Sequence, residues 1–323
     1  MPLVEVNELK IYYEGRTAPV KAGRQRREFV HAVDGVSFTI DEGEILSLVG
    51  ESGCGKSTTG MGILRLQDVT SGSVCFRGEN VLTLRGKDLQ RFRRKAQMIF
   101  QSTYASLDPR MNVREIISEP IRIHRLERDE AKIEQKMLAV MDTLGLSRGD
   151  LDKMPNEFSG GQVRRVGIAR ALVLQPELIV ADEPTSGLDV SVAAGILNLM
   201  CELRDRLHLT YLWISHDLHA VSFISDRIAV MYLGKIVELA GTKELLAHLC
   251  HPYTKALFSA IPMLTQNEQS GRIILEGEIP SALRPPSGCR FHTRCAHRMA
   301  KCSEAEPPLR EIGSGHLVSC YLY

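Results

Sequence analysis

The chain has 323 residues, a formal net charge of +1 and 24% charged residues, which leaves room for two or three domains with a full core. The balanced charge lacks the basic excess that nucleic-acid binding demands. The longest apolar stretches, such as residues 168–174, fall far short of a bilayer span, and the N-terminus does not look like a signal peptide. We therefore expect a cytosolic protein whose eight cysteines are not paired in disulfides.

The first stretch of the chain predicts β-structure. Apolar and polar residues alternate over residues 36–40, which is typical of a strand with one buried face. Residues 14–28 are rich in Arg and Lys. They predict a solvated loop between two strands, with contact to lipid headgroups or a membrane partner as the alternative.

Residues 50–57 form a complete phosphate-binding loop of the pattern G-x-x-x-x-G-K-[ST]. An apolar strand over residues 45–49 leads into it and a helix from Lys56 to Leu64 leads out, so phosphates would lie at a helix N-terminus. Lys56 would bind the β- and γ-phosphates, and Ser57 would ligate Mg²⁺. The pattern predicts binding of ATP or GTP through Gly50, Ser52, Gly53, Cys54, Gly55, Lys56, Ser57 and Thr58.

Beyond this loop the signals are first helical and then alternate between helix and strand. Residues 108–151 predict helices, and short apolar strands follow at 178–181 and 210–214. A hairpin is predicted over 228–239, turning at residues 233–234. This alternation predicts an α/β core with a mostly parallel sheet.

Two carboxylates follow the apolar strand at residues 178–181. Asp182 would belong to the Mg²⁺ shell, and Glu183 is placed as a base that polarises the attacking water. Alone, such a pair is often only a strand end with solvated charges. After a phosphate-binding loop at this distance, it predicts nucleotide hydrolysis.

The segment Phe158-Ser-Gly-Gly-Gln opens a helix that we predict from Gln162 to Leu174. It resembles the LSGGQ signature of ATP-binding cassette (ABC) ATPases, through Ser159, Gly160, Gly161 and Gln162. In that family the signature meets the γ-phosphate held by the opposing subunit, so the resemblance implies two subunits enclosing two ATP molecules. Residues 163–165 read Val-Arg-Arg where Arg-Gln-Arg is usual, and we expect this change to affect helix packing.

The remaining motifs of the family follow in order. Gln101 resembles the Q-loop glutamine that senses Mg²⁺, Asp189 ends a D-loop, and His216 resembles the switch histidine that contacts the γ-phosphate. Tyr13 resembles the aromatic residue that stacks on adenine, with Tyr12 as the competitor. The resemblance covers residues 3–245. It implies an α/β fold with a P-loop RecA-like core, an antiparallel β subdomain and a helical subdomain at about 102–170, within an ATP-binding domain of residues 1–245.

Residues 246–323 predict a small, cysteine-rich C-terminal extension. The segments 251–257 and 288–295 resemble the extension of dipeptide, oligopeptide and nickel ABC importers, in particular their F-type ATP-binding subunits. The resemblance implies a D-type ATP-binding subunit as heterodimer partner, although a homodimer stays open. It also implies two transmembrane permease subunits, an extracytoplasmic binding protein and a peripheral location on the cytoplasmic face of the inner membrane.

The sequence leaves the cargo and the class of ABC ATPase partly open. Peptides are favoured, with nickel chelates, glutathione or opines as alternatives. Soluble DNA-repair or translation ATPases usually have two cassettes or a long coiled coil, and this chain has neither. A scaffold without hydrolysis is disfavoured because Glu183 and His216 are intact.

Four cysteines near the C-terminus, Cys289, Cys295, Cys302 and Cys320, are separated by five, six and seventeen residues. The spacing lacks paired C-x₂-C knuckles and leaves three possibilities open: unliganded thiols, Zn²⁺ with four Cys or with three Cys and His292, His297 or His316, and a [4Fe–4S] cluster. The resemblance favours the cluster, because similar extensions of these importer subunits hold one.

Overall fold

The computed structural model describes residues 2–19, 25–260, 273–313 and 315–323, so the centre of the basic segment, residues 20–24, lies outside it. The strands are β1 (Val4–Pro19), β2 (Gln25–Ile40), β3 (Ile45–Val49), β4 (Ser71–Phe76), β5 (Glu79–Asn80), β6 (Ala96–Ile99), β7 (Leu178–Asp182), β8 (Thr210–Ser215), β9 (Arg227–Tyr232), β10 (Lys235–Gly241), β11 (Arg310–Gly313) and β12 (His316–Val318).

The helices are α1 (Lys56–Ile63), α2 (Gly86–Lys95), α3 (Thr103–Ser106), α4 (Val113–Ile123), α5 (Glu130–Thr143), α6 (Gly160–Leu172), α7 (Val190–Leu207), α8 (Leu218–Ile224), α9 (Thr242–Ala247), α10 (Pro252–Phe258) and α11 (Lys301–Glu304). Within the described part of the chain, no helix is long and apolar enough to cross a membrane.

The chain forms two compact units, and neither is continuous in sequence. The first contains residues 1–41, 45–82 and 214–323, and the second contains residues 42–44 and 83–213. The helical subdomain at about 102–170 and the domain boundary at 245 were predicted from the positions of motifs. They do not correspond to this division into two units, and they stay predictions.

The first unit contains an antiparallel sheet of order β2-β1-β4-β5. Alternate residues of β1, such as Val4 and Val6, are buried, as expected for a sheet with one covered face. The same unit holds the strand order β11-β12-β10-β9-β3, in which β3 and β9 are parallel and fully buried residues line β3. The hairpin between β9 and β10 turns at Leu233 and Gly234, both with positive φ, which confirms the predicted turn.

The second unit contains β6, β7 and the first four residues of β8, in the order β8-β7-β6, together with helices α2–α7. Strands β6 and β7 are parallel. Every residue of β7 and β8 is buried, which explains their uninterrupted apolar sequences. The segment 108–151, predicted to be helical, contains the helices α4 (Val113–Ile123) and α5 (Glu130–Thr143).

The C-terminal extension belongs to the first unit and adds strands to it. β12 pairs antiparallel with β10, with Val318 opposite Glu238 and Leu317 opposite Leu239. The Phe291 side chain is 1% exposed and lies against Tyr232 of β9 and Tyr253 of α10. The extension therefore obtains its core by packing on elements of the first unit, which compensates for its own small number of apolar residues.

Candidate nucleotide-binding and hydrolysis site

The phosphate-binding loop lies in the first unit, between β3 and α1. Gly50 and Gly55 have φ values of 151° and 109°. A Cβ on either would lie 2.1 Å from a backbone oxygen, that of Met231 or of Ala32. Both positions therefore require glycine. The eight residues from Gly50 to Thr58 that were predicted to bind phosphate lie on this loop and the first turn of α1.

Lys56 is 6% exposed and its Nζ points into the loop. It donates hydrogen bonds to the carbonyl oxygens of Gly50 at 2.8 Å and Glu51 at 3.1 Å. Burial raises the pKa of the neighbouring Cys54 thiol, so that side chain stays neutral at physiological pH. The loop thus presents a buried ammonium group and the N-terminus of α1, which together favour an anion.

The two tyrosines of β1 have different surroundings. Tyr12 donates a hydrogen bond to Asp34, and its ring centroid lies 4.3 Å from that of His31. Arg290 of the C-terminal extension also pairs with Asp34. Consecutive strand residues face opposite sides, so only one of Tyr12 and half-buried Tyr13 can face a nucleotide base. Tyr13 stays our prediction, because the hydroxyl of Tyr12 is engaged with Asp34.

His216 follows β8 in the first unit and is exposed. The next residue, Asp217, caps α8 by accepting hydrogen bonds from the backbone N–H groups of His219 and Ala220. The cap fixes the chain direction immediately after His216. The histidine therefore lies at a strand-to-helix turn, a position typical of functional side chains.

The predicted carboxylates lie in the second unit, at the end of β7. Asp182 is 6% exposed, whereas Glu183 is half-buried and has a φ of 45°. A left-handed conformation costs a non-glycine residue about 1–3 kcal/mol and is concentrated at functional sites. Gln101 Nε2 donates to Glu183 Oε2 at 2.6 Å, so the Q-loop residue and the predicted base are in direct contact.

The signature segment also lies in the second unit, at the start of α6. Ser159 is the N-cap and forms a capping box with Gln162, so the helix begins at Gly160, two residues before the predicted start, and ends at Leu172 rather than Leu174. A Cβ on Gly161 would lie 2.6 Å from Val192 Cγ1 of α7, so glycine permits this close approach. Ser159, Gly160 and Gln162 are exposed.

Asp189 caps the other helix of this region, α7. Its Oδ1 accepts hydrogen bonds from Val192 N at 2.9 Å and Ser191 Oγ at 2.7 Å. These bonds, the one from Val192 first, lower the pKa of Asp189 below its usual value. The D-loop residue is therefore an ionised N-cap on an exposed surface.

Arg164 is a residue whose importance the sequence does not reveal. It is 5% exposed, and its Nη1 donates to the carbonyl oxygens of Phe100 and Gln101 at 3.0 and 2.9 Å and to Thr103 Oγ1 at 2.7 Å. Its Nη2 donates to the carbonyl oxygen of Ser186 at 3.2 Å. A single guanidinium thus links the signature helix to the Q-loop and the D-loop. The only sequence signal was the departure from the usual Arg-Gln-Arg run.

We expect Arg164→Ala to lower the free energy of unfolding by about 2–4 kcal/mol, because one buried hydroxyl oxygen and three part-buried carbonyl oxygens lose their donor. The matched control is Arg165→Ala, since Arg165 has one such bond, from Nη1 to Leu144 O at 2.7 Å. That change should cost about 1 kcal/mol. Urea denaturation of both variants measures the difference, and equal losses would contradict the role assigned to Arg164.

The four C-terminal cysteines line one small pocket in the first unit, together with His251, His292 and His297. None of the four is in a disulfide. Burial raises the pKa of Cys289 to about 11 and also raises the pKa values of Cys295 and Cys320. A bound metal would have to displace these thiol protons.

His316, one of the predicted zinc ligands, lies elsewhere. Its Nε2 is 2.8 Å from Glu238 Oε1, and the Glu238 carboxylate also accepts hydrogen bonds from the backbone N–H groups of Cys250 and His251. The ligand atoms of Glu238, Cys250 and His316 lie within 4.8 Å of one another, so this buried group could hold a metal ion. Sequence spacing did not suggest it, because Glu238 and His316 are 78 positions apart.

Comparisons with known proteins agree with these motifs. Residues 33–186 match the family model "ABC transporter", and residues 237–302 match "Oligopeptide/dipeptide transporter, C-terminal region". The chain is 46% identical to the oligopeptide transport ATP-binding protein AppF of Bacillus subtilis, over 99% of this chain and 97% of AppF. It is 44% identical to the dipeptide transport ATP-binding protein DppF of Haemophilus influenzae, over 99% of this chain and 96% of DppF.

A similar fold is found in the solved structure of cbiO1 from Clostridium perfringens, part of the ABC transporter complex cbiONQ. The TM-score is 0.64 at 26% identity, covering 77% of this chain and 92% of cbiO1. This structure and the two family matches confirm the ABC ATPase α/β fold predicted from the sequence. The chain belongs to the ABC transporter ATP-binding proteins, in the group that has the oligopeptide/dipeptide transporter C-terminal region.

Proposed function

We propose that this chain hydrolyses ATP to energise peptide import through an ABC transporter. The observation that carries the proposal is that one chain combines a phosphate-binding loop with the C-terminal region of oligopeptide/dipeptide transporters. Relatives named for oligopeptide and dipeptide transport match it over nearly their full lengths. Nickel chelates, glutathione and opines are alternative cargoes for the same machinery.

In this proposal the residues divide into binding and hydrolytic roles. Lys56 binds the β- and γ-phosphates, and Glu183 orients the attacking water, with His216 contacting the γ-phosphate. Ser57, Gln101 and Asp182 offer oxygen ligands, the type that Mg²⁺ prefers, and the ion would neutralise phosphate charge. The signature residues Ser159, Gly160, Gly161 and Gln162 would serve the ATP of a second subunit, with Asp189 at the seam.

Lys56→Ala should weaken ATP binding itself by about 10–100-fold, because charge-assisted hydrogen bonds to phosphate contribute about 1.5–3 kcal/mol. Lys243→Ala, which removes an exposed lysine of α9 in the same unit, is the matched control and should leave affinity unchanged. Equilibrium titration with a fluorescent ATP analogue measures both. Equal ATP affinity in Lys56→Ala and the unmodified protein would refute the role of Lys56.

The proposed assembly follows the family. A D-type ATP-binding subunit would complete a heterodimer beneath two permease subunits, on the cytoplasmic face of the inner membrane. An extracytoplasmic binding protein would then select the cargo. The C-terminal region shared with oligopeptide/dipeptide transporters supports this arrangement.

For the cysteine pocket we propose a [4Fe–4S] cluster held by Cys289, Cys295, Cys302 and Cys320, with zinc as the alternative. Four thiolates about 2.3 Å from one zinc ion would lie about 3.8 Å apart. All four cysteines line the same pocket, which supports one group bound by all four thiols. Such a group would supply a structural cross-link between distant parts of the extension.

Protein purified anaerobically should be brown, with broad absorption near about 400 nm that dithionite bleaches, and should contain about four irons per chain. Cys295→Ser should lose the colour, while Cys75→Ser, which changes a cysteine of β4 remote in sequence from the cluster, should keep it. Colourless protein with one zinc per chain would assign the pocket to zinc instead.

A further inference from the structure

A carboxylate lies inside the phosphate-binding loop, where a negative charge opposes the binding of a polyphosphate. Glu51 follows Gly50, and its carbonyl oxygen accepts a hydrogen bond from Lys56 Nζ. Its side chain is 26% exposed, so solvent screens its charge only in part. The loop therefore needs a compensating cation next to this position.

That cation comes from the C-terminal extension. Arg294 Nη1 donates to Glu51 Oε2 at 2.9 Å, and its Nη2 lies 3.3 Å from Glu51 Oε1, so the guanidinium meets both carboxylate oxygens. The Arg294 side chain is only 7% exposed. A bidentate pair of this kind fixes the orientation of both partners as well as neutralising their charges.

A second contact from the same region holds the backbone of Glu51. The N–H of Glu51 donates to Tyr253 Oη at 2.8 Å. The ring of Tyr253 lies 5.5 Å, centroid to centroid, from that of Phe291. Phe291 and Arg294 belong to the same short turn, closed by a hydrogen bond from Arg294 N to Phe291 O at 3.0 Å. Arg294 of this turn thus contacts the Glu51 carboxylate, and Phe291 of the same turn contacts Tyr253, which binds the Glu51 backbone.

This turn is bounded by two residues of the cysteine pocket. Arg294 directly precedes Cys295, and Phe291 lies two residues after Cys289. The backbone of Cys289 donates to Cys302 O at 2.8 Å, so the start of the turn is tied to a third cysteine. A group bound by the thiols would restrict the turn at both ends.

We propose that Arg294 is a positioning residue for ATP binding, which neutralises and orients Glu51 and thereby links the occupancy of the cysteine pocket to the affinity of the phosphate-binding loop. The inference rests on the proposed nucleotide-binding function. It gives the C-terminal extension a regulatory role in ATP binding, because loss of the bound group would release the turn that carries Arg294.

The first test is a double-mutant cycle on Arg294 and Glu51 in the full-length, anaerobically purified chain, with a fluorescent ATP analogue as the probe. Arg294→Gln should raise the dissociation constant about tenfold, equivalent to about 1.4 kcal/mol. Adding Glu51→Gln should restore most of the affinity, because the uncompensated charge is then gone. Arg294→Lys should retain most of it, and added salt should weaken binding less in Arg294→Gln than in the unmodified chain, because salt also screens the repulsion between Glu51 and the phosphates.

The matched control is Arg284→Gln, because Arg284 ties the same extension to Glu28 of β2, with Nε 2.9 Å from Glu28 Oε1. Its removal should leave affinity for the analogue unchanged. An unaltered dissociation constant in Arg294→Gln, or no recovery in the double variant, would overturn the inference. If Arg294→Gln fails to fold, Glu51→Gln serves as the test. This variant should bind the analogue at least as tightly as the unmodified chain, and weaker binding would overturn the inference.

The link to the pocket is tested with Cys295→Ser, measuring metal content and analogue affinity on the same samples. Loss of metal should be accompanied by a loss of affinity of about tenfold, and Arg294→Gln should add no further loss in that background. Undiminished affinity in metal-free Cys295→Ser would overturn the link. If the proposed nucleotide-binding function itself were wrong, the result would differ from these outcomes. The unmodified chain would then bind no analogue, and Lys56→Ala would not change its binding.

Discussion

Glu183→Gln should lower the rate of ATP hydrolysis by about 10²–10⁴-fold in the assembled transporter, while ATP binding is retained. A positioned general base contributes about this factor, and the substitution leaves the phosphate-binding loop in the first unit unchanged. The substituted glutamine would also keep a side chain of nearly the same shape next to Gln101, whose Nε2 lies 2.6 Å from Glu183 Oε2. The loss should therefore appear in kcat rather than in affinity.

The matched control is Glu202→Gln, because Glu202 lies on α7 of the same unit and pairs with Arg206 on an exposed surface. Its hydrolysis rate should equal that of the unmodified protein. Single-turnover hydrolysis and equilibrium ATP binding measure the two quantities separately. A hydrolysis rate near that of the unmodified protein in Glu183→Gln would show that another residue orients the water.

Gly160→Asp should abolish cooperative hydrolysis in the assembled transporter. In the proposed two-subunit site, the aspartate would place a negative charge where the γ-phosphate of the partner's ATP must lie. The substitution should not unfold α6, because Gly160 is its first residue and an acidic side chain near a helix N-terminus is favourable. The defect is therefore expected in ATP-dependent association of the two subunits.

Gly160→Ala tests whether the defect of Gly160→Asp comes from the negative charge or from the size of the side chain. A Cβ at this position would lie 3.4 Å from Leu188 Cδ2, which is tight but close to ordinary contact. The alanine variant should keep a substantial part of the hydrolysis rate. Analytical ultracentrifugation with ATP on the Glu183→Gln background measures association directly. Equal association of the Gly160→Asp and Gly160→Ala proteins would contradict an in-trans role for the signature.

Much of this fold could be predicted because short-range patterns determine it. The apolar run before Asp182 predicted β7, and the glycines of residues 50–55 predicted the loop that their positive φ values permit. The hairpin turn at Leu233 and Gly234 was likewise predicted from neighbouring residues alone. The start of α6 was misplaced by two residues, because the capping role of Ser159 was not recognised.

The contacts between distant segments could not be predicted from one sequence. The run that contains Arg164 was expected to affect helix packing. Its guanidinium instead binds the carbonyl oxygens of Gln101 and Ser186, which are 63 and 22 positions away. The pair between Arg294 and Glu51 joins residues 243 positions apart. Such pairs depend on the tertiary fold, and neither local periodicity nor motif spacing encodes them. For the same reason the sequence missed the Glu238, Cys250 and His316 group.

The most direct test of the central proposal is purification of the complex through a tag on this chain from detergent-solubilised membranes, followed by measurement of its ATP hydrolysis with a peptide-loaded binding protein. The proposal predicts recovery of two permease subunits and a second ATP-binding subunit, with hydrolysis that rises when peptide is supplied and disappears in Glu183→Gln. Recovery with DNA or ribosomes and without membrane proteins would contradict it.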